Sequence, residues 1–320
     1  MDKRVYGVIG ISSIMSNWNA DFTGYPKTTS SGDIFGSDKA LKYPMKKMWG
    51  DHGEKILYIK SMKLSETKKK EVVLVPRTLK ERYENLFDIP NLKDCKDVKE
   101  ILKNLFKATD VKNFGATFAE EGNNISITGA VQIGQGFNKY EDSLVEEQQI
   151  LSPFRDGKDI EKKEKKGEDA QEAKNSTLGS KIVSDEAHYF YPFSINPLVY
   201  SEFVEIGVTD GYTQEDYNSF KEVAISSATS YATNSKVGCE NEFALFVETD
   251  LDLYLPNLSN YIEFEKRNGK NLIKVECSTL INDVKDRIKN VEIYYNPYTT
   301  VIESDIEGAR LLNIFTKKEV

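Results

Sequence analysis

Apolar residues along the chain recur at periods of two and of three to four, separated by polar stretches, and these periods predict the elements in order. Arg4 to Met15, RVYGVIGISSIM, is rich in Val and Ile with Gly and Ser interleaved, which predicts a buried first strand running into the polar NWNADF. Gly24 to Gly36 is dense in Gly, Ser and Thr with one Pro, so an irregular loop is expected. Gly36-Ser37-Asp38 then predicts a helix start with the Ser37 hydroxyl as its cap. On that helix Leu41, Met45, Met48 and Trp49 form the apolar face, Lys39, Lys42 and Lys46 share the other, and Pro44 predicts a kink or a restart. Residues 55–64 and 71–76 read as a hairpin with a basic tip, and after Pro90 the residues Leu92, Cys95, Val98, Leu102, Leu105 and Phe106 predict an amphipathic helix over 91–109.

Further on, Ile125, Ile127, Gly129, Val131 and Ile133 alternate as one half-buried strand. Residues 152–181 break the pattern, since Asp156 to Lys174 packs six Lys and seven Asp/Glu with almost no apolar residue, the composition of a long excursion between strands. HYFYPFSINPLVY brings the chain back through aromatics. A Thr-x-x-Asp cap at Thr213 opens a helix to Tyr231, and NEFALFVETD at 241–250 is a strand. Asn268-Gly269 between alternating runs predicts a hairpin. A serine-capped helix over STLINDVKDRIK and a final strand VEIYYN complete the order. Strand, helix, paired strands, helix, strand fits an α+β fold with a ferredoxin-like βαββαβ core, the architecture of RNA-recognition domains, although other α+β arrangements satisfy the same order.

Charge changes the picture more than bulk composition does. The net charge is −8, yet residues 1–120 carry 22 Lys/Arg against 16 Asp/Glu, a net of +6, which leaves −14 for the other 200 residues. A basic front and an acidic back suit a protein that grips a polyanion with one part and meets basic neighbours with the other. No apolar run approaches the ~18 residues a bilayer span requires, and the N-terminus has no signal-peptide pattern, so a cytoplasmic protein without a membrane partner is expected. Cys95, Cys239 and Cys277 lie far apart with no CxxC pair, which argues against a zinc site or a disulfide framework.

The chemistry therefore concentrates in Gly24 to Trp49, where loop amides and a lysine row can hold phosphate; a solvated lysine face is the plainer alternative. A catalytic reading finds little support. His52 sits in a Gly-Asp-His-Gly turn and His188 in DEAH, neither in a nucleophile pattern nor at metal-ligand spacing, and no phosphate loop accompanies the DEAH tetrapeptide. Asp21 and Asp33 flank the loop and fit turn residues better than metal ligands.

Taken together, GVIGISSIM-x-NWNADFTGYPKT, FGSDKALKYPMKKMW, FGATFA, ISITGAVQIGQGFNK, STLGSKIVSDEAHYFYPFSINP and NSKVGCENEFALFVETD resemble the CRISPR-associated backbone subunit of type I Cascade complexes, in its I-B form, a CRISPR RNA-binding protein of the RAMP superfamily. The resemblance spans nearly the whole chain and implies one RRM-like domain over 1–320. In it, 22–110 form a fingers-like insertion carrying the basic helix, 152–181 a thumb, and 251–320 a C-terminal hairpin, helix and strand. The palm it implies is the first strand, ISITGAVQIG, the 213–231 helix and the 241–250 strand. It also implies a non-catalytic scaffold without metal or cofactor that polymerises along the guide RNA beside other Cascade subunits and presents the spacer to target DNA. Its RNA-binding positions here are Asn17, Asn19, Lys27, Ser37, Lys39, Lys42 and Lys46. The alternatives are a ribonuclease of the same superfamily, cutting target RNA through Asp21 or processing the guide, and an assembly protein that never touches RNA.

Overall fold

A computed structural model describes residues 1–151 and 178–320. Its architecture is mixed α+β. The first strand, β1 (Arg4–Ser16), is the spine: β10 (Leu178–Ile195) pairs antiparallel with it on one side and β11 (Cys239–Thr249) on the other. Three short strands follow one another along the far edge of β10: β7 (Val131–Ile133), β8 (Gly136–Asn138) and β9 (Val145–Leu151). A two-residue β2 (Phe35–Gly36) adds to β8. Helix α1 (Asp38–Asp51) lies in the connection from β1 to this edge, and the helix Gln214–Ser230 joins β10 to β11. The strand order β11-β1-β10-β7/β8 with these two crossovers is that of a βαββαβ core.

Both faces of the sheet are covered, which is why its strands read as near-continuous apolar runs. Val5, Ile9, Ile11, Tyr191, Phe193 and Phe246 pack toward the helices, among them Leu41, Met45 and Trp49 of α1 and Phe220 of the second helix. The two helices touch through a Trp49 Nε1–H to Ser219 hydroxyl bond of 2.9 Å and an edge contact between Tyr43 and Tyr231. On the opposite face Val8, Phe190, Phe243, Leu245 and Val247 meet a smaller sheet, in which the hairpin of β12 (Ile262–Arg267) and β13 (Lys270–Val275) pairs with β15 (Thr300–Ser304).

Several expectations hold and several are corrected. The Thr213 cap is a full capping box with Asp216. The Asn268-Gly269 turn forms where the pattern placed it. The first hairpin forms too, with β4 (Val72–Pro76) as expected, but its other arm is β3 (Met62–Glu66), which shares only 62–64 with the expected 55–64 strand; 55–61 is not a strand. The expected strand over 125–133 is instead two. A Cβ at Gly129 would stand 2.2 Å from the Phe114 carbonyl carbon, so the chain turns there; β6 (Ile125–Thr128) pairs with β5 (Gly115–Phe118) and only β7 joins the main sheet. The 91–109 helix shrinks to Val98–Phe106, because Asp97 caps Lys99 N–H and interrupts the row. A further helix, Leu79–Phe87, opened by a Thr78–Glu81 capping box, is one the apolar pattern does not announce. Ser278 caps nothing and its helix ends at Asp283. VEIYYN is not final: as β14 (Ile288–Tyr295) it lies between β11 and an edge strand, β16 (Arg310–Asn313).

The largest gap is β10, the third strand of the core, whose Pro192 argues against a central strand. Its carbonyl accepts Gly134 N–H at 2.8 Å, so its own nitrogen faces the same side, where the partner strand is interrupted between Ile133 and Gly136. No ladder bond is lost. The thumb expected over 152–181 lies outside the described residues, apart from its last four, which open β10. Among the described residues no helix is long and apolar enough to cross a membrane.

Candidate nucleic-acid interface

The end of β1 and the loop after it are locked from below. Trp18 is buried and its indole N–H donates to the Tyr191 hydroxyl at 2.6 Å. Gly36 lies on that pair so closely that a Cβ would stand 1.8 Å from the Tyr191 oxygen and 2.8 Å from Trp18. Lys236 reaches in from the 235–238 turn and donates to the carbonyls of Asn17 (2.7 Å) and Trp18, with its ammonium 5.3 Å over the Trp18 ring. Burial lowers its pKa, and the nearby Cys239 opposes that shift.

On this base the loop brings three of the seven expected positions together. Asn19 accepts the Ser37 backbone N–H on its side-chain oxygen at 2.8 Å, Lys27 N–H donates to the Asn19 carbonyl at 2.9 Å, and Phe35 N–H to the Lys27 carbonyl at 2.9 Å. Asn17 lies beneath them. Its amide donates to the carbonyls of Gly24 (2.9 Å) and Ile182 (3.2 Å), while its side-chain oxygen is buried without a partner among the described residues.

Ser37 occupies the N-cap of α1 in extended geometry, yet its hydroxyl makes no capping bond, contrary to expectation. Asn19 holds the Ser37 amide instead. Nor does Pro44 break the helix, which runs unbroken from Asp38 to Asp51 with Pro44 buried. The lysine row is uneven. Lys39 is exposed. Lys42 pairs with Asp38 at 2.9 Å, and Lys46 is drawn inward to the buried Asp110 at 3.5 Å and to the Tyr58 carbonyl at 3.2 Å. Burial lowers the Lys46 pKa, with Asp110 opposing that shift. Asp110 in turn accepts the amides of Leu57 and Tyr58, both at 2.8 Å, so Lys46 belongs to a knot tying α1 to the next segment.

Asp21 and Asp33 behave as turn residues. Asp21 accepts from Thr23 N–H (2.8 Å), the Thr23 hydroxyl (2.7 Å) and Tyr25 N–H (3.1 Å), bonds that hold its pKa low. Asp33 accepts from the hydroxyls of Ser31 and Thr29. Among the described residues no three His, Cys, Asp or Glu side chains converge as a metal site.

Sequence reasoning missed two sets of residues. Lys236 and Tyr191 lie over 170 positions from the loop they support, and no local pattern marks them. The other is the set of partners around His188, on the far face of the sheet. The His188 Nδ1 lies 2.6 Å from Glu242 and its Nε2 2.9 Å from Glu186, the ring stacks on Phe264, and Lys266 reaches Glu186 at 2.5 Å. Desolvation lowers the imidazole pKa, but the two carboxylates outweigh it and raise it to about 9. A raised pKa favours the imidazolium, whose two N–H groups face Glu242 and Glu186.

Comparison with known proteins adds the family. The sequence profile for "CRISPR-associated protein Cas7" matches residues 3–289. Among solved structures, a chain described as "CRISPR RNA-guided surveillance complex, pre-nicking" has a similar fold, with 97% of this chain and 96% of that one covered at a TM-score of 0.50 and 12% identity. No curated protein matches the chain.

Proposed function

Because the chain belongs to the CRISPR-associated Cas7 family, we propose that it is a non-catalytic backbone subunit that binds CRISPR RNA. Copies of it line up along the guide in a type I-B Cascade complex, with other Cascade subunits, and leave the spacer free to pair with target DNA. The observation that carries this reading is the bond between Asn19 and Ser37. It docks the N-terminus of a 14-residue helix, bearing Lys39 at its mouth, against the loop that holds Lys27. The helix end with its partial positive charge, Lys39 in its first turn beside Asp38, and Lys27 on the loop are thereby held in one neighbourhood, which is chemistry for a phosphodiester backbone.

The contacts available at this surface are to phosphate and sugar, so its share of the affinity comes from backbone charge and base edges stay free for pairing. Asn17 serves beneath this surface as a support, since its amide is already engaged.

The test is to purify the protein with its operon partners, sequence the RNA that accompanies it, and measure binding of guides with exchanged spacers. Small RNAs with a common repeat-derived end and near-constant affinity across spacers are expected. Recovery of the assembly without RNA, or affinity that tracks spacer sequence, would overturn the reading.

A further inference from the structure

We propose that Phe22 is a stacking platform for one base of the bound single-stranded RNA, an inference that rests on the RNA-binding reading above. Phe22 is the most exposed large apolar residue described, with a relative accessibility of 110%. Single exposed apolar side chains are ordinary on protein surfaces, so exposure alone means little. What sets Phe22 apart is its mounting.

It stands at the tip of a miniature ladder whose base is the interface itself. The Asn19–Lys27 backbone bond forms the first rung, the Ala20–Pro26 bridge the second and the Asp21 N–H to Tyr25 carbonyl bond (2.8 Å) the third. Asp21 clamps the tip through Thr23 and Tyr25, and Gly24 N–H returns to the Asp21 carbonyl at 3.3 Å. Two further bonds fix the ladder to the body: Asn17 holds the Gly24 carbonyl, and the Tyr25 hydroxyl donates to Glu147 at 2.9 Å.

A loop so pinned loses little entropy on binding, and its ring contributes nothing to the core. A phenyl ring has no polar handle, so its available partner is a flat or apolar surface. An RNA held by its phosphates at Asn19, Lys27 and Ser37 carries bases within reach of a tip three rungs away, and every base has a face that stacks. The stacking is accordingly indifferent to sequence. An apolar pocket on another protein is the competing occupant, and the test separates it.

Both native tryptophans, Trp18 and Trp49, are buried, so Phe22→Trp places one exposed indole at the tip as a reporter. Its emission is titrated with an unstructured oligouridylate, and affinities are measured for Phe22→Ala and Phe22→Leu with folding checked by thermal melting. Quenching of the introduced indole is expected, with a loss of about 5- to 150-fold for Phe22→Ala and a similar loss for Phe22→Leu, which keeps apolar area but has no ring. Unchanged affinity in Phe22→Ala, or an indole that stays unquenched in Phe22→Trp, overturns the proposal. Retained RNA affinity with loss of higher assembly in Phe22→Ala overturns it in favour of a protein pocket. If the unmodified protein binds no oligouridylate, the RNA-binding reading fails first and this proposal with it.

Discussion

Lys46 stands 3.5 Å from Asp110, and Asp110 is completely buried with two backbone amides on its carboxylate. One lysine of the basic helix is thus part of the fold's internal wiring, while Lys39, seven residues earlier, points to solvent.

The two lysines should therefore fail differently. Lys46→Ala leaves a buried carboxylate short of its cation and is expected to lower stability by about 1.5–3 kcal/mol, read by urea denaturation. Lys39→Ala should stay within about 0.5 kcal/mol of the unmodified protein. It should instead flatten the salt dependence of RNA affinity by about 0.7 log units, the value for one phosphate contact on a single strand. An unchanged slope in a folded Lys39→Ala would remove that residue from the interface.

The His188 cluster predicts a stability trend with pH. Its pKa is raised from 6.5 to about 9 in the fold, so its contribution is complete below about pH 6.5 and is lost as pH rises through about 9. Glu186 shares the same contact, which holds its pKa down to about 2, so the acid limb appears as pH falls below 4.5 toward 2. His188→Gln should cost about 3–5 kcal/mol near pH 6, because the buried Glu242 loses its cation while Glu186 keeps Lys266, and should abolish the alkaline limb. Parallel melting curves for both proteins from pH 6 to 9.5 would contradict this.

Gly36 and Tyr191 should show coupling. Gly36→Ala drives a methyl into the Tyr191 hydroxyl and is expected to cost about 1–3 kcal/mol or more. Tyr191→Phe strands the Trp18 indole N–H and should cost about 1–3 kcal/mol. Together they should cost less than the sum, since removing the Tyr191 oxygen relieves the alanine methyl's closest clash, at 1.8 Å, and leaves the 2.8 Å approach to Trp18. Strict additivity in a double-mutant cycle would rule out the contact as the cause.

A fourth expectation concerns Asn19. Asn19→Ala removes the acceptor for Ser37 N–H and should cost about 0.5–2 kcal/mol, the range for a lost helix cap, whereas Ser37→Ala should be nearly silent in stability. The reverse order in chemical denaturation would restore Ser37 as the working cap.

The sequence by itself determined whatever depends on neighbours in the chain. The Thr213–Asp216 capping box, the Asn268-Gly269 hairpin, the 71–76 strand and the apolar runs of β1 and β11 are written in residues a few positions apart, and local sterics and hydrogen bonding suffice to form them. The loop and lysine row of residues 24–49 were legible for the same reason.

Tertiary structure alone decided which of those groups are free. Nothing near Lys46 in sequence announces Asp110, nothing near Trp18 announces Tyr191 or Lys236, and nothing in DEAH announces Glu242. Pro192 is tolerated in a core strand only because the edge beside it is interrupted, and the Ser37 amide finds its acceptor on Asn19, 18 positions earlier, only because the loop after β1 folds back onto the start of the helix. Residues far apart in the chain meet through the packing of the whole sheet. Burial, desolvation and the choice of hydrogen-bond partner arise at those meetings, and a one-dimensional pattern does not contain them.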